Sequence, residues 1–282
     1  MDLLNQNDLD SLIQRALAED VGHGDITTAA TVSPGQKGRA TITVKEPSMV
    51  LAGGILLGPT LRLAGAAPHV HILADEGATL KAGDTLAEVD GLLAGLLIGE
   101  RTALNFIQLL SGIATLTRCF VEKIAGTRAR IVDTRKTHPG LRALEKYAVR
   151  VGGGHNHRFG LDSGVLIKEN HIAAAGSVTA AVERARALAP HTLRVEIECE
   201  TLAQVEEARR AGADAILLDN MSLEDIRRAR ALAGESTILE VSGGVTLETV
   251  REIAETGVDV ISVGALTHSA RAMDVSMRIV AA

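Results

Sequence analysis

Two rhythms of apolar and polar positions divide the chain. Between residues 8 and 20, Leu9, Leu12, Ile13, Ala16 and Leu17 fall at i, i+3, i+4 spacing, the stripe of an amphipathic helix. A polar, glycine-broken connection, EDVGHGDITT, follows at 19–28. Residues 38–75 read as short strands, because GRATITVKEP and HVHILAD alternate apolar and polar positions. The stretch EGATLKAGDTLAEVDG at 76–91 reads as short β elements with glycine-centred turns. A long, mostly buried helix is expected from about Gly95 to Ala125, given its apolar content.

From Arg128 the pattern becomes a strict alternation of strand and helix. RIVDT, VLIKEN, LRVEIEC, AILLDN, ILEVSG and VISVGA are short aliphatic or β-branched runs, and amphipathic stretches separate them. The helices are expected to begin at Ser177, Thr201, Ser222 and Thr246, all residue types favoured as N-caps. Gln204, three residues after Thr201, completes one capping box. Successive βα units require parallel strands with helices outside, and six or seven of them close most naturally into a barrel. No GxGxxG follows the first strand of the series, which weighs against a dinucleotide-binding sheet.

Composition narrows the function classes. Hydrophobic residues make up 46% of the 282 and charged residues 23%, near the average for globular domains, so global disorder is not expected. The first 22 residues are polar and contain no signal-peptide core, and the apolar run Gly91–Gly99 is too short to span a bilayer. Cys119 and Cys199 cannot form a disulfide framework or a Cys-rich zinc site, which fits a reducing, cytoplasmic compartment. A net charge of −6, with no Trp, one Tyr and three Phe, argues against nucleic-acid binding. The charge is uneven, however. Residues 128–171 hold nine Lys or Arg against four acids, and four of the nine histidines. A basic island in an acidic chain points to a small, multiply anionic ligand.

In α/β barrels, chemistry sits at the carboxyl ends of the strands. Reading those ends in order gives Arg135 and Lys136, Lys168, Glu198, Asp219, then Ser242, Gly243 and Gly244, then Gly264 and Ala265. Glycine turns such as SGGV and SVGAL let the backbone approach a phosphate. Glu198 and Asp219 could bind a divalent cation or ribose hydroxyls, or pair with the cations around them. Lys168 alone would suit a Schiff-base lyase, the main rival chemistry. His155 and His157 lack a third ligand at zinc spacing and read better as contacts to an anionic ligand. Residues 76–91 have the look of a lipoyl or biotinyl carrier module, but Lys81 lacks the exposed hairpin-tip setting of an acceptor lysine, so the segment is read as structural.

Several runs together carry a family resemblance: ERTALNFIQLLSGIAT at 100–115, DTRKTHPGLRALEKYAVRVGGGHNHRFGL at 133–161, IKENH at 167–171, LLDN at 217–220, EVSGG at 240–244 and ISVGALTHS at 261–269. With EDVGHGDITT and VEIE, they make the chain resemble quinolinate phosphoribosyltransferase nearly end to end. The resemblance implies an α/β fold with an N-terminal α/β sandwich domain over residues 1–112. An incomplete TIM-like barrel of about seven strands would follow over 113–282, with a C-terminal helix packing back on the first domain. It implies transfer of phosphoribose from phosphoribosyl pyrophosphate to quinolinate, with loss of CO2 and pyrophosphate, in NAD biosynthesis. It also implies Mg²⁺ dependence and a homodimer or hexamer whose sites are shared between subunits, with no nucleic acid or membrane partner. Thr134, Arg135, Lys136, His157, Arg158 and Lys168 would bind quinolinate, with Arg101 supplied by the neighbouring subunit. Glu198 and Asp219 would hold the ribose and the metal, directly or through water. Ser242, Gly243, Gly244, Ser262, Gly264, Ala265 and His268 would surround the 5′-phosphate. Lys136, Lys168, Glu198 and Asp219 are the expected catalytic group. A paralogue using another aromatic acid is the nearest alternative.

Overall fold

The computed structural model describes residues 5–282; residues 1–4 of the leading polar segment lie outside the described residues. The chain forms two compact units. One comprises Met1–Arg118, Ala143–Gly153 and Ser269–Ala282, and the other comprises Cys119–Arg142 and Gly154–His268.

The first unit is built on a four-stranded antiparallel sheet. Its strands are β1 (Lys37–Val44), β3 (His69–Ile72), β5 (Thr85–Leu92) and β12 (Val275–Ala281), in the order β12-β1-β5-β3. A small pair, β2 (Met49–Val50) with β4 (Thr79–Leu80), lies beside them in sequence. The alternation read from GRATITV is real: Gly38, Ala40, Ile42 and Val44 are buried, and the residues between them are more open. The amphipathic helix runs over Gln6–Val21, buries Leu9, Ile13 and Leu17, and is capped by the Asn5 side chain. Lys81 sits in the turn after β4, with its backbone N–H donated to Asp84, while Leu80, Leu86, Ala87 and Val89 feed the core.

The long helix spans Leu93–Lys123 and starts directly after β5. Its length and composition would suit a membrane crossing. Here Ala103, Leu104 and Ile107 are instead buried in the sheet's hydrophobic core. Truncating a side chain such as Leu104 to Ala would cost about 2–5 kcal/mol. Two glycines of this helix have a packing reason: a Cβ on Gly95 would lie 2.2 Å from the Ala66 backbone nitrogen, and one on Gly112 would lie 2.0 Å from the Arg271 carbonyl oxygen. Glycine at these positions lets backbone meet backbone.

The expected C-terminal helix is a strand. VSMRIVA runs antiparallel to β1, from Val44↔Val275 to Gly38↔Ala281. The alternation that buries Val275 and Met277 has the two-residue period of a strand, and β1 would otherwise present an unpaired edge. Arg271 fixes the approach to this strand through two 2.7 Å bonds to Glu46, whose carboxylate also accepts the Asp274 N–H at 3.0 Å.

The second unit is the barrel. Six parallel strands, β6 (Arg130–Val132), β7 (Val165–Ile167), β8 (Val195–Cys199), β9 (Ala215–Asp219), β10 (Ile238–Ser242) and β11 (Val260–Ser262), lie in the order β6-β11-β10-β9-β8-β7. First and last strands are neighbours, as a closing sheet requires. A seventh stave is reduced to one bridge, Val132 with His155, beside β6. Since β7 pairs only with β8, the barrel is incomplete. Ser177, Thr201 and Ser222 each accept the N–H three residues on and cap their helices, with Gln204 completing the capping box. Thr246 does not cap a helix: its N–H is donated to Thr249 Oγ1, a turn intervenes, and the helix begins at Val250. The two threonines bond each other locally, an alternative that Ser and Thr offer to helix initiation.

Candidate active site

In β8, Val195, Ile197 and Cys199 are buried, while Glu196 and Glu198 point to the other face. The period of two therefore carries acids toward the barrel interior and apolar side chains toward the helices. The same step links Leu166 to Lys168, Leu217 to Asp219 and Glu240 to Ser242.

These strand ends open into a cavity of about 710 Å³. Thr134, Arg135, Lys136, His157, Arg158, Lys168, Glu198, Asp219, Ser242, Gly243, Gly244, Ser262, Gly264, Ala265 and His268 all line it. Of the sequence-derived candidates two lie elsewhere, Arg101, which is exposed on the long helix of the first unit, and His155. His155 serves the β6 bridge rather than the cavity.

Local structure fixes the cationic wall. Thr134 Oγ1 accepts the Lys136 N–H at 3.0 Å, and Thr267 Oγ1 donates to the Lys136 carbonyl at 2.7 Å. The Arg142 guanidinium bonds Thr137 Oγ1 at 3.0 Å and the Phe159 carbonyl at 3.2 Å, tying the two basic loops together. Arg158 donates to the Gly164 carbonyl at 2.9 Å. Burial, then the nearby Arg135 charge, hold its guanidinium below the usual arginine range. The arginine ordinarily stays charged, so the strain of crowded cations is relieved by an anion.

Lys168 Nζ donates to Glu198 Oε2 at 2.7 Å, with the lysine half exposed and the acid nearly buried. Asp219 accepts from the Asn220 side chain at 3.0 Å. Asn220 holds a left-handed backbone, φ 52°, and its side chain fills the space a Cβ on Gly243 would need, 2.2 Å from Oδ1. Gly243 itself has φ 92° and Gly244 φ 60°, a turn suited to glycine that leaves the backbone bare toward the cavity.

Below this rim lies a layer that the strand-end reading missed. His157 Nε2 sits 3.3 Å from Glu196 and 3.6 Å from Glu240. Its backbone N–H donates to Asp133 Oδ1 at 2.8 Å, and Asp133 Oδ2 accepts from Asn156 at 2.6 Å. Burial, and then the Glu196 charge, push the Glu240 carboxyl up to about 8, so it carries its proton near neutrality. The available signal was the two-residue step inward from Glu198 and Ser242.

Glu198 and Asp219 offer hard oxygen donors on one cavity, the ligand type Mg²⁺ takes when it also keeps waters and phosphate oxygens. The donor set fits that ion. The arrangement as a whole can hold a carboxylate-rich ring against cations and a phosphate against bare backbone.

Residues 113–278 match the sequence profile of the quinolinate phosphoribosyl transferase C-terminal domain, and residues 25–111 match that of its N-terminal domain. The chain is 43% identical to the probable nicotinate-nucleotide pyrophosphorylase (carboxylating) of Bacillus subtilis, over 97% of this chain and 94% of that one. It is 44% identical to the nicotinate-nucleotide pyrophosphorylase (carboxylating) of Mycobacterium leprae, over 94% and 95%. The solved structure of NadC from Streptococcus pyogenes superposes with a TM-score of 0.95 at 42% identity, covering 99% of both chains.

Proposed function

The chain belongs to the quinolinate phosphoribosyl transferase family, and from that premise we propose how its barrel carries out the reaction. The activity is that of a nicotinate-nucleotide pyrophosphorylase of the carboxylating type, a pentosyltransferase of NAD biosynthesis. Quinolinate and phosphoribosyl pyrophosphate are its substrates; nicotinate mononucleotide, pyrophosphate and CO2 are its products.

The observation that carries the residue assignment is the single cavity on which cations, two acids and two glycine turns converge. Arg135, Arg158 and Lys168 bind the two carboxylates of quinolinate, where guanidinium forks match carboxylate geometry. Thr134 and Lys136 complete that wall, with the lysine also facing the departing pyrophosphate. Glu198 and Asp219 hold the ribose hydroxyls. The Ser242–Gly244 and Gly264–Ala265 turns, with Ser262 and His268, receive the 5′-phosphate. Mg²⁺ would be held by Glu198 and Asp219, directly or through water, and would neutralise pyrophosphate charge.

The ring nitrogen displaces pyrophosphate at ribose C1, the resulting pyridinium charge stabilises the carbanion left at C2 when the 2-carboxylate departs as CO2, and that carbon then takes a proton from solvent. The protein orients the partners and compensates charge, and needs no covalent nucleophile. We further propose a homodimer, alone or assembled into a hexamer, in which Arg101 enters the neighbouring subunit's site; its exposure on the long helix supports this. The proposed compartment is the cytoplasm, supported by two free thiols.

Incubating the protein with Mg²⁺, quinolinate and phosphoribosyl pyrophosphate tests the reading. Equimolar nicotinate mononucleotide and CO2 are expected; nicotinate outperforming quinolinate would overturn it.

A further inference from the structure

The carboxylates of Glu196 and Glu240 and the ring of His157 form the one cluster with metal-like ligand spacing among the described residues, their atoms within 4.8 Å of one another. The imidazole's other bond decides against a metal. Its Nδ1 accepts the backbone N–H of Arg158 at 2.7 Å. An accepting Nδ1 carries a lone pair, so the neutral ring bears its proton on Nε2, where a metal would need a lone pair. The Nε2–H faces the two carboxyl groups, 3.3 and 3.6 Å away.

Both nitrogens of His157 are therefore engaged by protein. One ties to the backbone of Arg158, the other to acids on β8 and β10, and the residue's own N–H ties to Asp133 on the strand-end loop after β6. Glu240 is 4% exposed and lies on the cavity wall, and its Oε1 has no hydrogen-bond partner. A buried acid and a partly buried one that both face the His157 ring are placed to hold protein rather than a dianion.

We propose that Glu196, backed by Glu240, is a positioning residue for the acid-binding wall: it accepts the Nε2–H of His157 at 3.3 Å and so fixes the 157–158 backbone and hence the Arg158 guanidinium. In this arrangement His157 is a tie between strands and loop, and Arg158 is the group that meets the substrate carboxylate. The inference rests on the assignment of this cavity to quinolinate.

Two variants and one spectrum test it. Glu196→Leu keeps the volume and removes the acceptor, whereas Glu196→Gln keeps an oxygen able to accept from Nε2–H. The leucine variant should raise KM for quinolinate about tenfold or more while KM for phosphoribosyl pyrophosphate moves by less than about twofold. Glutamine should recover most of that loss. In ¹⁵N-histidine spectra of the free protein, the signals missing from His157→Gln should show protonation at Nε2 and a bare Nδ1. Equal rises in both KM values, an unchanged quinolinate KM in the leucine variant, or a His157 protonated at Nδ1 would overturn the proposal. If the leucine variant does not fold, the glutamine variant's kinetics and the wild-type spectrum still decide. Wild-type protein that makes no nicotinate mononucleotide would defeat the functional reading instead, and the tautomer would remain measurable.

Discussion

Lys168, directly after β7, and Glu198, on the adjacent strand β8, hold each other at 2.7 Å. In the proposed reading the lysine binds quinolinate and the acid binds ribose. In that reading an incoming carboxylate replaces Glu198 as the lysine's partner. Its ammonium is half exposed and ion-paired, whereas Schiff-base lysines act from desolvated apolar pockets. Lys168→Ala should lower kcat/KM by roughly 10²-fold or more, the scale for losing a charged contact in the transition state. Borohydride with carbonyl compounds should leave the intact mass unchanged. A trapped adduct on Lys168 would restore the lyase alternative.

Arg101 lies on the first unit's long helix, and Lys168 follows a barrel strand. If sites are shared, Arg101→Ala and Lys168→Ala proteins should each be nearly inactive yet dimeric. Co-refolded mixtures should regain about a quarter of wild-type activity per subunit pair population, since half of a random mixture is hybrid and each hybrid holds one intact site. Activity no higher than either parent would remove the shared site.

The barrel was legible in the sequence because each βα unit announces itself locally, by a short aliphatic run and a hydroxyl cap such as Ser177, Thr201 or Ser222. The rim was legible because barrel chemistry gathers at strand ends, so Lys168, Glu198 and Asp219 could be placed before their neighbours were known. Glu240 was not, since an acid inside an aliphatic strand resembles a solvent-facing residue until the sheet closes over it. The C-terminal segment 275–281 was misread because its partner, β1, lies more than 230 residues earlier, and pairing at that separation leaves no local mark. The same holds for Gly112, whose need for a bare Cα comes from Arg271.

Gly243 has two reasons to be glycine, a φ of 92° and the Asn220 side chain lying where its Cβ would be. Gly243→Ala should displace Asn220, and with it the hydrogen bond to Asp219. Overpacking of this kind costs about 1–3 kcal/mol, with added backbone strain of similar size. The expected kinetic signature is a raised KM for phosphoribosyl pyrophosphate with a smaller change for quinolinate. A variant with both constants unchanged would separate this turn from phosphate binding.

Glu46 anchors the approach to the C-terminal strand, and its bidentate pair with Arg271 and the Asp274 N–H hold its carboxyl at about 2, against 4.5 for the free group. A depressed acid binds fewer protons folded than unfolded, so its contribution is present in full above about pH 4.5 and is lost as the pH falls toward 2. Arg271 is two-thirds exposed, so screening by solvent and salt makes the contribution modest. Glu46→Gln keeps the shape and removes the charge. Its melting temperature should lie below that of the wild type at pH 7, and the gap should narrow steadily from pH 4.5 to pH 3. A gap that stays constant with pH would assign the stabilisation to packing around Glu46 rather than to its charge.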